Sequence, residues 1–169
     1  MKALIMSDSH GWSEQVIEVV KRHEKEVDVV FHCGDSELEQ QSTALKNIIV
    51  VKGNCDFGSD FSEEREETVQ GVKFYIAHGH HYNVKMSLDL ITYRGEEKQA
   101  DIVCFGHTHI ATSFQKNGTV YINPGSLRLP IRPKTQTYCI CGVEDETITV
   151  RFYTREGEEV TELKTQYEK

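Results

Sequence analysis

The sequence predicts an α/β fold in which two sheets pack face to face with helices outside. Two observations carry this. The first half alternates strand and helix in a βαβαβ rhythm, which calls for parallel pairing with right-handed crossovers. The second half turns to hairpin signals, the mark of antiparallel strands. A third observation concerns function: five strand-like runs each lead into a Gly-containing turn that carries Asp, His or Asn.

Taken in order, Ala3 to Ser7 is strand-like. Glu14 to Lys25 reads as a helix, with Val16, Ile17, Val19 and Val20 as its apolar face and Ser13 as its N-cap. Val27 to His32 is the next strand, Glu37 to Lys46 a short helix, and Asn47 to Lys52 a third strand. The acidic stretch Glu63 to Glu67 reads as a solvated loop or the approach to a strand. Lys73 to Ala77 is a strand, Met86 to Gln99 contains a helix, and Asp101 to Phe105 is a buried strand. Two hairpins follow. Thr112–Gln115 and Val120–Asn123 flank Asn117-Gly118, and Thr137–Val143 and Thr147–Tyr153 flank Glu144-Asp145. The polar tail from Glu156 to Lys169 either adds an edge strand or frays.

The 169 residues are 38% hydrophobic, enough for one domain, residues 1–169, with a real core. Three prolines and no Ser/Gly-rich tract give no sign of an interdomain linker. No apolar run reaches the length of a membrane span, about 18 residues or more. The N-terminus lacks the apolar region of a signal peptide. The five cysteines sit mostly in apolar runs and are expected to be reduced thiols of a cytoplasmic protein. The sequon at Asn117 then reads as a hairpin turn. A net charge of −8 disfavours nucleic acid as a stable partner. A small phosphorylated substrate stays compatible, because two divalent cations would put about four positive charges in one pocket. No apolar patch decides between a monomer and a homo-oligomer, dimer or tetramer.

The most informative stretch is Gly106-His107-Thr108-His109, directly after the buried run Ile102 to Phe105. If strand geometry continues, the two histidines point to one side about 6.5–7 Å apart. That is too wide for one ion but suits two ions about 3.5–4 Å apart, one histidine on each. The same grammar recurs at Asp8-Ser9-His10-Gly11, Gly34-Asp35, Gly53-Asn54-Cys55-Asp56 and His78-Gly79-His80. Ligands of open α/β sheets gather outside the carboxyl ends of the strands. Five such ends therefore predict one convergent site. Its carboxylate, imidazole and amide donors suit Mn²⁺, Fe²⁺, Zn²⁺, Ni²⁺ or Mg²⁺, whereas Cu(I) and Fe–S clusters want thiolates. Asp35, alone on its strand end, is the candidate bridge between two cations.

Asp-x-His, Gly-Asp, Gly-Asn-x-Asp, His-Gly and Gly-His-x-His in this order resemble the signature of the calcineurin-like metallophosphoesterases. With Asn123-Pro124-Gly125-Ser126, the resemblance is to the small bacterial and archaeal branch of YfcE- and YsnB-type phosphodiesterases. It implies a four-layer α/β/β/α sandwich of two mixed sheets flanked by helices. It also implies two divalent metal ions, with Mn²⁺ expected. Asp8, His10 and His109 would hold the first, Asn54, His78 and His107 the second, and Asp35 would bridge. The implied reaction is hydrolysis of a phosphate ester by in-line attack of a hydroxide bridging the ions, with no protein nucleophile. A phosphodiesterase is the leading expectation. A phosphomonoesterase or nucleotidase on the same site is the alternative. A third is a non-catalytic scaffold like the small subunit of retromer, where a ligand histidine is replaced; all seven candidates are present here.

The chain departs from larger relatives at Cys55, where they carry a histidine that contacts the phosphate. A thiol is a poor general acid near neutral pH. Asp56 and His80 are the other candidates near the phosphate. His23, His32 and His81 read as solvated or satisfied within the fold. Ser126, in a turn that by itself reads as an ordinary one, is compatible with a hydrogen bond to a phosphate but is not assigned a catalytic role. For Arg128 and Arg132 a phosphate contact and a surface role are equally compatible.

Overall fold

The computed structural model describes residues 1–169. It contains two mixed sheets. In the first, β1 (Lys2–Met6), β2 (Val29–His32) and β3 (Ile49–Val50) run parallel, and β9 (Thr137–Glu144), β10 (Thr147–Thr154) and β11 (Thr165–Glu168) extend it antiparallel from β1, in the order β11-β10-β9-β1-β2-β3. The second has β5 (Val72–Ala77), β6 (Ile102–Cys104) and β8 (Thr119–Pro124) in parallel. Antiparallel β4 (Glu64–Val69) and β7 (Ala111–Lys116) form its edges.

Alternation along the strands builds the layers. On β1, Ala3 and Ile5 face the second sheet, while Leu4 and Met6 face α1 (Ser13–His23) and meet Val16 and Val19. Phe31 and Phe74 stack across the inter-sheet core with ring centroids 5.0 Å apart. The outer face of the second sheet, with Tyr75, Val103 and Tyr121, is covered by α2 (Asp89–Glu97) through Ile91. The result is the four-layer α/β/β/α sandwich. Each fully buried aliphatic contributes roughly 1.5–3 kcal/mol by leaving water. All five cysteines are unpaired, and Cys33, Cys104, Cys139 and Cys141 serve as small apolar groups in the core.

Three local expectations are corrected. Ser13 is the first helical residue, and Trp12 precedes it without a side-chain cap. The helix expected over Glu37 to Lys46 is only a 3-10 turn, Thr43–Leu45, capped by the Ser42 hydroxyl. Its first part is pinned in another shape: Glu37 has a φ of 51° and its N–H donates to Asp56 Oδ1 at 2.7 Å. Glu63 to Glu67 mostly forms edge strand β4. Its charges suit an exposed sheet edge, and Glu64 accepts from Arg94 at 2.7 Å and from Tyr82 at 2.9 Å. The tail resolves as edge strand β11. No helix is long and apolar enough to cross a membrane.

Buried His32 ends β2 and carries a pH prediction. The Gly34 N–H donates to its Nδ1 at 3.3 Å and Ser9 Oγ lies 2.9 Å from its Nε2, an arrangement for the neutral ring. Burial holds it down to about 4. A folded value below the unfolded one means that the unfolded chain binds the extra proton first. His32 therefore withdraws stability as pH falls from the unfolded value toward 4. Between pH 6.5 and 5 the unfolding free energy of metal-free protein should fall by about 2 kcal/mol relative to His32→Gln. Parallel pH profiles for the two proteins in urea titrations would refute this.

Candidate metal centre

The five motif turns leave the carboxyl ends of β1, β2, β3, β5 and β6, five of the six parallel strands of the two stacked sheets. They meet at one edge of the sandwich. The His107 N–H donates to Asp8 Oδ2 at 3.1 Å, which joins the sheets there. The turns are sharp. Asp8, His10, Asp35, His107 and His109 all have φ between 42° and 68°, the left-handed region that non-glycine residues occupy in only a few per cent of cases, Asn, Asp and His more than others. Five of seven candidate ligands in that region is the pattern of a functional site held by its surroundings. Contact is close as well: a Cβ at Gly106 would lie 2.0 Å from Ser7 Oγ, and one at Gly53 2.1 Å from Asp35 Oδ1.

The donors form linked groups. Asp8, His10 and His109 each bring one donor atom within 4.8 Å of the others, and so do Asp35, His78 and His107. Asp35 also groups with His10 and Cys55, which ties the two sets together. His109 Nε2 is 3.0 Å from Asp8 Oδ1, and His78 Nε2 is 3.3 Å from Asp35 Oδ2. Asn54 Oδ1 lies 3.1 Å from His78 Nε2. All seven predicted ligands thus come to one place.

Hydrogen bonds orient the rings. His78 Nδ1 is 2.7 Å from the Cys33 carbonyl, and His109 Nδ1 is 2.7 Å from that of Leu129. A carbonyl only accepts, so each Nδ1 donates and each Nε2 lone pair turns to the centre. His10 does the same through Glu37, 2.6 Å from its Nδ1. Such partners fix tautomer and orientation in metal-binding histidines. The Ser7 hydroxyl and the His107 N–H occupy Asp8 Oδ2, leaving Oδ1 turned to the centre, 3.0 Å from His109 Nε2.

These residues fit divalent cations. His10 Nε2 is buried without a hydrogen-bond partner, and buried Asp8 Oδ1 faces His109 Nε2, at 3.0 Å. At His78 the lone pair faces Asn54 Oδ1 and Asp35 Oδ2, acceptor against acceptor. Protons or cations must fill that space. In the cation-free chain, protons do so in part. Against the effect of burial, Asp35 and Asp8 hold the proton on His78, and Asp8 holds it on His109. Asp35 and Asp8 in turn lie below the usual carboxylate range, because contacts with His78 and His109 outweigh burial. Burial pushes His107 down to about 4, so it is neutral and ready to ligate.

The remaining candidates divide. Cys55 stands at the rim, its thiol pushed up to about 11 by burial and the Asp35 charge, so it keeps its proton at neutral pH. Asp56 is only 3% exposed and faces the backbone, accepting from the N–H groups of Asp35 at 2.8 Å, Gly53 at 2.7 Å and Glu37 at 2.7 Å. His80 sits beside the centre, its ring 5.3 Å from that of His78. The Ser126 hydroxyl is buried and donates to the Asp8 carbonyl, a supporting contact for the first turn. Arg128 donates to the His10 carbonyl and lies over Trp12. Sequence reasoning missed Glu37, whose place depends on its own left-handed backbone. It also missed the role of Asn123, whose amide donates to the Gly106 carbonyl at 2.8 Å and Thr108 Oγ1 at 2.9 Å, shaping the turn between the two histidines.

Comparison with known proteins agrees with this architecture. The chain is 48% identical over 163 residues to the probable metallophosphoesterase YsnB of Bacillus subtilis, covering 96% of each chain. A crystal structure of a predicted phosphoesterase from Streptococcus pneumoniae superposes with a TM-score of 0.95 at 32% identity, over 99% of this chain and 97% of that one. Vacuolar protein sorting 29 from Cryptosporidium parvum shares the fold, with a TM-score of 0.77 at 16% identity over 99% and 98% of the two chains. Residues 1–146 match the calcineurin-like phosphoesterase superfamily domain, and with ligand turns in the family order at one sheet edge, the chain belongs to that superfamily.

Proposed function

We propose that the chain is a phosphodiesterase working with two divalent cations. The observation that carries this is the position of Asp35, whose carboxylate groups with His10 on one side and with His78 and His107 on the other. Asp8, His10 and His109 would hold one cation, Asn54, His78 and His107 the other, with Asp35 between. When bound, such a pair lowers the pKa of water and offsets charge on phosphoryl oxygens. The N/O donor set is compatible with Mn²⁺, Zn²⁺, Ni²⁺, Fe²⁺ and Mg²⁺, and the family resemblance makes Mn²⁺ the expected ion. The protein's own part is orientation: the Nδ1 contacts aim three imidazoles, and the Ser7 and His107 contacts aim Asp8. Five unpaired thiols suit a reducing compartment such as the cytoplasm.

The preference for a diester rests on charge. Beside Cys55 opens a cleft of about 390 Å³ walled by Glu37, Glu39, Asp56, Asp60 and Phe57, with no lysine or arginine in its lining. A monoester brings two negative charges to these carboxylates, a diester one. The thiol of Cys55 is a weak proton donor, so esters with good leaving groups should turn over fastest. A scaffold role is disfavoured by the full, pre-aimed ligand set. With Mn²⁺ supplied, kcat/KM for bis(p-nitrophenyl) phosphate should exceed that for p-nitrophenyl phosphate by about tenfold or more, the equivalent of 1.4 kcal/mol. A monoester preference would refute the diester reading and leave the nucleotidase alternative. No turnover of either ester with any divalent cation would favour the scaffold.

A further inference from the structure

We propose a third cation site, separate from the two above, formed by Glu63, His80 and His81 and taking a borderline transition ion such as Zn²⁺, Co²⁺ or Ni²⁺. Its geometry follows from the second sheet. β4 pairs antiparallel with β5, Glu64 opposite Ala77, so the residue before β4 lies beside the turn that follows β5. That turn passes through Gly79 into a 3-10 turn, His80–Tyr82, which presents two consecutive histidines with ring centroids 3.9 Å apart.

One donor atom from each of the three residues lies within 4.8 Å of the other two. Glu63 Oε2 is 3.2 Å from His81 Nε2 and 4.0 Å from His80 Nε2. Around a tetrahedral zinc ion with bonds of about 2.0–2.2 Å, ligand atoms stand about 3.4 Å apart. The cluster is thus within a small side-chain rotation of a two-histidine, one-carboxylate site. Its side chains are reachable from solvent, 52% exposed for Glu63 and 63% for His81, so water would complete the coordination. Two imidazoles favour a borderline transition ion over Mg²⁺ and Ca²⁺, which prefer oxygen ligands. A simple ion pair accounts for His81 and Glu63, and His80 Nε2 stands 4.0 Å from the same oxygen.

The site differs from the main centre in its support. Nδ1 of His10, His78 and His109 each has an acceptor, whereas Nδ1 of His80 is buried with no partner. Loss of such a partner typically costs about 10–100-fold in metal affinity. The third site should therefore fill last, and by about that factor more weakly.

The test uses the full chain stripped of metal and titrated with Co²⁺ and Zn²⁺ against a chromophoric chelator. Wild type should bind one more equivalent than His81→Ala. The Co²⁺ visible absorption that appears with this last equivalent should be missing in His81→Ala, and its affinity should drop at least about tenfold in Glu63→Gln. Both positions are exposed, so melting curves should stay unchanged. Equal stoichiometry and equal spectra in wild type and His81→Ala would overturn the proposal. The comparison is a difference between two proteins, so it stands whatever number of ions the main centre holds.

Discussion

Asp35→Asn is expected to lower kcat/KM for a phosphodiester on the order of a thousandfold, beyond the 10–100-fold typical of a residue that only orients a ligand. The same change should reduce the cations held by the main centre. The reason is geometric. Asp35 Oδ1 accepts the Cys55 N–H at 2.7 Å, while Oδ2 faces His78 Nε2 at 3.3 Å. An asparagine keeps the first contact, so the turn stays folded. Its amide nitrogen would then face His78 with a donor, which supplies a hydrogen bond where a cation should sit. Stability should hardly change, while metal binding and turnover fall together. A variant with wild-type turnover and undiminished metal content would refute the assignment of Asp35 as the shared ligand.

Asp56→Ala should show the opposite profile, with stability lost first. Its carboxylate ties the turn after β2 to the turn after β3 through the N–H groups of Asp35, Glu37 and Gly53, with the Ser36 hydroxyl at 3.3 Å. Removing it orphans three backbone donors, each costing about 1–3 kcal/mol when buried, partly relieved by entering water. A net loss of about 3–5 kcal/mol is expected, with a fall in melting temperature of about 10 °C. Metal affinity should weaken as well, because Asp35 loses its clamp. Calorimetry and metal titration would measure both. A fully stable Asp56→Ala with reduced kcat would instead return Asp56 to the role of proton donor.

The legible part of the site was its donor list. Five strand ends carrying Asp, His and Asn were visible because ligand chemistry restricts residue types and β-sheet topology restricts where strands end, and the resemblance to the metallophosphoesterases singled out seven residues among them. The roles of their supports were not visible. Glu37 looked like part of a helix, yet a left-handed backbone places it against His10. Asp56 looked like a possible acid, yet its oxygens face inward to N–H groups that no pattern announces. His81 read as a solvated histidine, and only the pairing of β4 with β5 puts Glu63 beside it. The edge strand β4 was also half hidden, because its charges obscure the period of two that marks a strand.

By itself, the sequence determined the class of fold, the order of the parallel strands' turns and the identity of the metal-compatible donors. The first two follow from local rules of periodicity and turn chemistry, and the third from ligand type together with the family resemblance. The tertiary structure decided which nitrogen each histidine offers and which carboxylate is given over to the backbone. Those choices depend largely on hydrogen bonds between residues distant in sequence, 20 positions apart at Cys55–Asp35 and 99 at His107–Asp8. Contacts of that range exist only once the two sheets have stacked and brought their strand ends to one edge.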